Sequence, residues 1–165
     1  MINEFRKVVR RAIIQELGNT TDTYPLRNVE RGVFPRVGEI DTRWEFQTEN
    51  HTYTVTIFNE YPEMLSVDFT TEETSTRMTN EGNPFKVTAT VIEAARRTWG
   101  LVEEYPEEFD FIRGFTFKPV TKGGGSPDGG KTNQRGKLYK TFIERQFPDA
   151  KIERNPHGEY LVYVR

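Results

Sequence analysis

Apolar residues alternate with polar ones in three consecutive runs: Trp44 and Phe46, then Tyr53, Val55 and Ile57, then Leu65, Val67 and Phe69. A period of two places each set on one face of a strand. Turn formers at Glu49-Asn50 and from Asn59 to Glu63 join the runs, so the pattern predicts an antiparallel meander with one buried face and a threonine-rich opposite face. On either side the period changes to 3.6. Phe5, Val9, Ala12, Ile13 and Leu17 predict an amphipathic helix that begins after Asn3 and stops at Gly18. Val87, Val91, Ile92, Ala95 and Trp99 predict a second helix, with Asn83 as its N-cap, Pro84 at the first helical position and an end at Gly100. The intervening stretch 19–40 has no clear period.

Beyond Gly100, Phe109, Phe111, Phe115 and Phe117 share one side of a predicted strand, with Arg113 among them and Gly114 marking a bulge or a close backbone approach. Leu138, Phe142 and Ile143 form the inner stripe of a last helix. A hairpin closes the chain, AKIER and EYLVYV flanking Asn155-Pro156-His157-Gly158. The whole predicts one α+β domain over residues 1–165, a mixed or antiparallel sheet with helices packed on it.

A chain of 165 residues supplies one real core. Its hydrophobic fraction of 35% and mean hydropathy of −0.72 are low, yet 12 Phe, 7 Tyr and 2 Trp bury area efficiently. With no cysteine, disulfides and thiolate ligands are excluded. No apolar run approaches the roughly 20 residues of a membrane span, which predicts no membrane association; a soluble intracellular or virion-associated protein is the default. Charge is uneven. Residues 1–111 carry 12 Lys/Arg against 20 Asp/Glu, and residues 112–165 carry 11 against 5. The basic 113–140 region, with Phe115, Phe117 and Tyr139 interleaved, suits an anionic ligand, nucleic acid included, although the overall pI near 5.8 is acidic.

Gly125 to Thr132, GSPDGGKT, satisfies the written pattern of a phosphate-binding P-loop. Its surroundings do not. Seven residues, Lys118 to Gly124, separate the preceding phenylalanine from the first glycine, and Pro127 removes an amide from the cradle. Only 33 residues follow Thr132, too few for the strand that would hold magnesium. The stretch reads as a glycine-rich loop. His51 and His157 stand too far from other ligand types to predict a metal site, and none is assigned.

The order helix, irregular segment, three-strand meander, helix, strand, helix, two strands resembles GNAT-type N-acyltransferases over residues 42–165, with 1–41 supplying the first helix and the irregular segment. Leu138-Tyr139 followed by Phe147 is similar to the leucine-tyrosine ending of that family's last helix. The resemblance implies a coenzyme A thioester as acyl donor, Tyr139 as general acid, and a carboxylate base from Asp68, Asp110 or Glu72. It further implies that the start of the helix after the meander, with Asn83, Phe85 and Lys86, and Arg135 at the last helix, face the cofactor phosphates. The sequence departs from the family's pyrophosphate loop: Arg77 lies five residues before Gly82, Glu81 adds negative charge, and Pro84 lacks an amide.

GNPFKVTATVIEAAR and Arg135-Gly136-Lys137-Leu138-Tyr139 also resemble a group of small tailed-phage proteins with degenerate GNAT domains. From sequence, the favoured expectation is a phage accessory protein, without cofactor, that binds a host or virion protein. The alternative is an acyl-CoA-dependent N-acyltransferase.

Overall fold

The structure is a computed structural model that describes residues 23–61, 63–72, 84–118 and 134–165, with the side chains of residues 60, 61, 84 and 134–138 outside the description. The predicted N-terminal helix, Asn83, the stretch around Arg77 and Glu81, and the GSPDGGKT loop all lie outside the described residues.

The three alternating runs form the meander that their period predicts. Strand β3 (Glu39–Gln47) pairs with β4 (Thr52–Tyr61), and β4 with β5 (Met64–Thr71), both antiparallel. Trp44, Phe46, Tyr53, Val55, Ile57, Leu65, Val67 and Phe69 turn to one face and are buried there. Completely burying side chains of this size stabilises by roughly 1.5–3 kcal/mol each, and a register slip by one residue would forfeit the set. Two short strands that the aperiodic stretch concealed, β1 (Arg27–Glu30) and β2 (Val33–Phe34), both pair along the outer edge of β3. A single 3-10 turn, Pro35–Val37, leads from β2 into β3.

Helix α1 (Pro84–Glu103) carries Val87, Val91, Ile92, Ala95 and Trp99 on its buried stripe. It runs through Gly100, where the sequence predicts an end. Val102, fully buried one residue pair further on, explains the difference: its burial offsets the ~1 kcal/mol that glycine costs inside a helix. The predicted phenylalanine strand is likewise shorter. Phe109 and Phe111 lie in a series of turns in which Phe109 N donates to Tyr105 O at 3.1 Å, and only Gly114–Phe117 forms β6. Arg113 is exposed, its guanidinium 5.3 Å from the Tyr163 ring centroid, rather than set among phenylalanines.

Helix α2 (Gln134–Gln146) packs on α1, with Tyr139, Phe142 and Ile143 buried. The closing hairpin, β7 (Lys151–Arg154) and β8 (Tyr160–Tyr163), turns at Gly158, whose φ of 80° suits glycine. Among the described residues the result is one mixed α+β unit, an eight-stranded sheet in the order β1-β3-β4-β5-β6-β8-β7 with β2 beside β3. All of its pairings are antiparallel except β5 with β6.

Candidate functional site at the end of the parallel strand pair

The parallel ladder is short. Met64 to Val67 of β5 pair with Gly114 to Phe117 of β6, and β5 then continues through Asp68 to Thr71 beyond the last paired position. Of the four catalytic candidates, Tyr139 and Asp68 lie around that end of β5.

Tyr139 approaches from α2. It is only 2% exposed, and its hydroxyl is buried without a hydrogen-bond partner. Tyr53 lies close enough to act on it: burial, and after it the neighbouring Tyr53 phenol, push the Tyr139 ionisation far above the ordinary tyrosine value. Tyr53 in turn pairs in register with Thr71 and stacks on Phe46 at 4.9 Å. Tyr139 therefore sits over the inner face of the sheet, by the part of β5 that outruns β6. Stranding a hydroxyl in this way costs roughly 1–3 kcal/mol. An ordinary structural tyrosine would direct its hydroxyl to water or backbone.

Asp68 is the first residue past the ladder. Strand alternation puts it on the outer face, half-buried, with Ser66 and Thr70 on the same side of β5 and Thr56 opposite it on β4. It has polar partners of its own. Asp68 and Tyr139 thus flank one end of β5 from opposite faces of the sheet. Asp110 does not join them. It is exposed in the turns that precede β6, at the other end of that strand. Glu72 is engaged elsewhere: it accepts the Thr52 amide at 2.7 Å and lies 3.4 Å from His51 Nδ1. Backbone N–H bonds, its own first and that of Thr52 next, hold its carboxyl below the usual value of 4.5. The His51–Glu72 pair escapes sequence reading because their partnership depends on the β4–β5 register, not on spacing along the chain.

The cofactor candidates divide. Phe85 is 37% exposed in the first turn of α1, presenting an apolar ring. Lys86 Nζ stands 4.5 Å from the centroid of the Tyr24 ring, so its charge is engaged by a π-face. The Tyr24 amide donates to Thr90 Oγ1 at 2.9 Å, and that hydroxyl donates to Lys86 O at 2.6 Å, which ties residue 24 to the helix. Arg135 is in the first turn of α2, with its side chain outside the description. Of the basic region, Arg113 covers Tyr163 and Lys140 lies 3.8 Å from Glu144, while Lys122 and Lys131 are outside the described residues.

Among the described residues no group of three or more His, Asp or Glu is arranged to hold a metal ion, and no helix is long and apolar enough to cross a membrane. Comparison with protein families, with curated proteins and with solved structures finds no match to this chain.

Proposed function

We propose that this chain is a GNAT-like N-acyltransferase, with an acyl-coenzyme A thioester received where β5 outruns β6. The observation that carries the reading is the Tyr139 hydroxyl, buried and without a partner beside that end of β5. A strand, a crossover helix and a parallel neighbouring strand after an antiparallel meander also fit the resemblance drawn from the sequence.

When bound, acyl-coenzyme A supplies an activated carbonyl and a thiolate leaving group. Tyr139 holds its proton throughout the neutral range, because burial disfavours the phenolate, and from its Oη it would give that proton to the departing sulfur and regain one from solvent when the thiol leaves. Asp68 accepts the proton of the incoming amine from the outer face. Burial of Tyr139 beside Tyr53, whose ring in turn contacts Phe46 and Phe69, keeps water from the donor. Because Tyr139 is closed over, ligand entry requires a local opening between α2 and the end of β5. Pro84, Phe85 and the ring-engaged Lys86 make the start of α1 a weaker phosphate site than a free helix N-terminus, so the affinity for coenzyme A is expected to be modest.

The test is the thermal midpoint with and without acetyl-coenzyme A, followed by acyl transfer to a panel of amines. A ligand at about 100 times its Kd adds ~2.7 kcal/mol and shifts the midpoint by several degrees. Tyr139→Phe is expected to keep the fold and lower turnover at least about tenfold. No shift at millimolar ligand would overturn the proposal.

A second reading, a phage accessory protein that works by binding a host or virion protein, has one observation in its favour: Val29, Phe34 and Val37 are exposed along one rim of the sheet. Recovery of a specific partner that Val37→Lys no longer binds would support it.

A further inference from the structure

Three of the four large hydrophobic residues exposed among those described, Val29 at 51%, Phe34 at 49% and Val37 at 72%, fall within eleven residues of chain. They belong to β1, β2 and the 3-10 turn, which follow one another along the same edge of β3. Among the described strands none lies beyond β1, and every β1 side chain is exposed. An open edge with an apolar rim is a surface that proteins either blunt or use.

The charges on this edge suggest what covers it. Arg27 Nη2 lies 2.9 Å from Glu45 Oε1, and Glu30 Oε2 lies 3.7 Å from Arg43 Nε. Both pairs therefore join β1 to β3, and they do so in opposite order: cation on β1 at one end, anion on β1 at the other. Take a second copy and lay its β1 antiparallel against this one, with the two-fold axis between Asn28 and Val29. Arg27 then faces the partner's Glu30, and Asn28 faces the partner's Val29. Across four strands the row becomes Arg43, Glu30, Arg27 of the partner subunit and Glu45 of the partner subunit, with signs alternating throughout. The symmetry-related row reads the same. A parallel arrangement instead sets Arg27 beside its own copy and Glu30 beside its own copy. Opposite charges facing each other across strands stabilise, and like charges destabilise.

From this self-complementarity we infer that the β1 edge is a homodimer interface, in which two copies join antiparallel into one continuous sheet about a two-fold axis. Such an interface is isologous and closed. The four-residue strand alone is too small for a stable contact, and Phe34 and Val37 beyond it add to the apolar area of its own Val29. The β-bulge between Asn28 and Glu30 and the brevity of β1 limit the edge to this single partner instead of open-ended stacking.

Sedimentation velocity on the full chain, from micromolar to submillimolar concentration, tests the inference. The wild-type chain is expected to dimerise, and Arg27→Glu and Glu30→Arg are each expected to be monomeric, because each sets like charges across the axis. An equimolar mixture of the two variants is expected to form a heterodimer, since Glu at 27 in one copy meets Arg at 30 in the other. Far-UV circular dichroism verifies that each variant is folded. Val37→Lys, which is part of neither ion pair, is expected to weaken the dimer while leaving both intramolecular pairs in place. A monomeric wild-type chain, dimers that survive all three substitutions, or a mixture that stays monomeric would overturn the inference.

Discussion

Trp44 on β3 donates its indole N–H to the hydroxyl of Thr98 on α1 at 3.0 Å, and the Thr98 hydroxyl donates in turn to Ala94 O at 2.9 Å. The bond is buried and joins residues 54 positions apart, so it fixes where along the sheet the helix sits. Thr98→Val keeps the shape but leaves the indole donor unsatisfied, and is expected to cost about 1–3 kcal/mol. Trp44→Phe with Thr98→Val should cost less than the two single changes summed. Chemical denaturation of the four variants in a double-mutant cycle measures the coupling.

Gly114 has no room for a methyl group. A Cβ built there would stand 1.7 Å from Val162 O on β8, a backbone atom that cannot swing aside. Gly114→Ala is expected to destabilise by at least about 3 kcal/mol, the upper range of overpacking, or to split β6 from β8. The denaturation midpoint reads the first outcome. Faster hydrogen exchange at the amides of residues 160–163 reads the second.

Glu93 is nearly buried on α1 and receives Arg96 Nη2 at 2.6 Å, Arg96 Nε at 2.9 Å and Arg97 Nε at 3.1 Å. Burial pushes its carboxyl up, but the hydrogen bonds from Arg96 and Arg97 outweigh that and hold it below the ordinary 4.5. A depressed folded value means the stabilisation is complete above the unfolded value and is lost as pH falls through the folded one. Glu93→Gln is therefore expected to cost about 1–3 kcal/mol at neutral pH, with the difference from wild type closing as pH drops below 4.5. Urea denaturation at several pH values checks this.

Tyr139 carries the opposite sign of linkage. Its folded ionisation is raised, first by burial and then by Tyr53, so it favours the folded state fully below the unfolded tyrosine value and loses that preference as pH rises. In an ultraviolet titration of the seven tyrosines, the one absent in Tyr139→Phe is expected to ionise only with unfolding. Since the hydroxyl has no partner, Tyr139→Phe is expected to leave stability unchanged or raise it by about 1–3 kcal/mol. A tyrosine placed solely for structure, with a hydrogen bond to lose, would show a decrease.

The meander, both described helices and the closing hairpin were legible because each follows a single period bounded by turn residues. The missed pieces share a cause. β1 and β2 carry exposed side chains and so have no hydrophobic period to read; they exist because β3 offers an unpaired edge. The extension of α1 past Gly100 follows from the tertiary burial of Val102, which local propensity does not encode. Phe109 reaches the core from a turn, so its spacing to Phe115 mimics a strand. At the site, Tyr139 and Asp68 could be nominated by residue type alone. Their position at one end of β5, and the exclusion of Asp110, depend on a parallel register between segments that nothing local connects.

That register has a kinetic side. Each rung of the β5–β6 ladder joins residue i to residue i+50, from Met64 with Gly114 to Val67 with Phe117, whereas the hairpins on either side close through short turns. Local hairpins form in microseconds, while long loops must surrender more chain entropy before any contact rewards them. The pairing of β6 with β8 is almost as distant, 43 residues from Phe117 to Tyr160 and 49 from Gly114 to Tyr163, so among the described strands β6 is the one held on both sides by contacts remote in the chain. It is therefore expected to be the last strand to join the sheet, and pulsed hydrogen exchange at residues 114–117 during refolding reads that order.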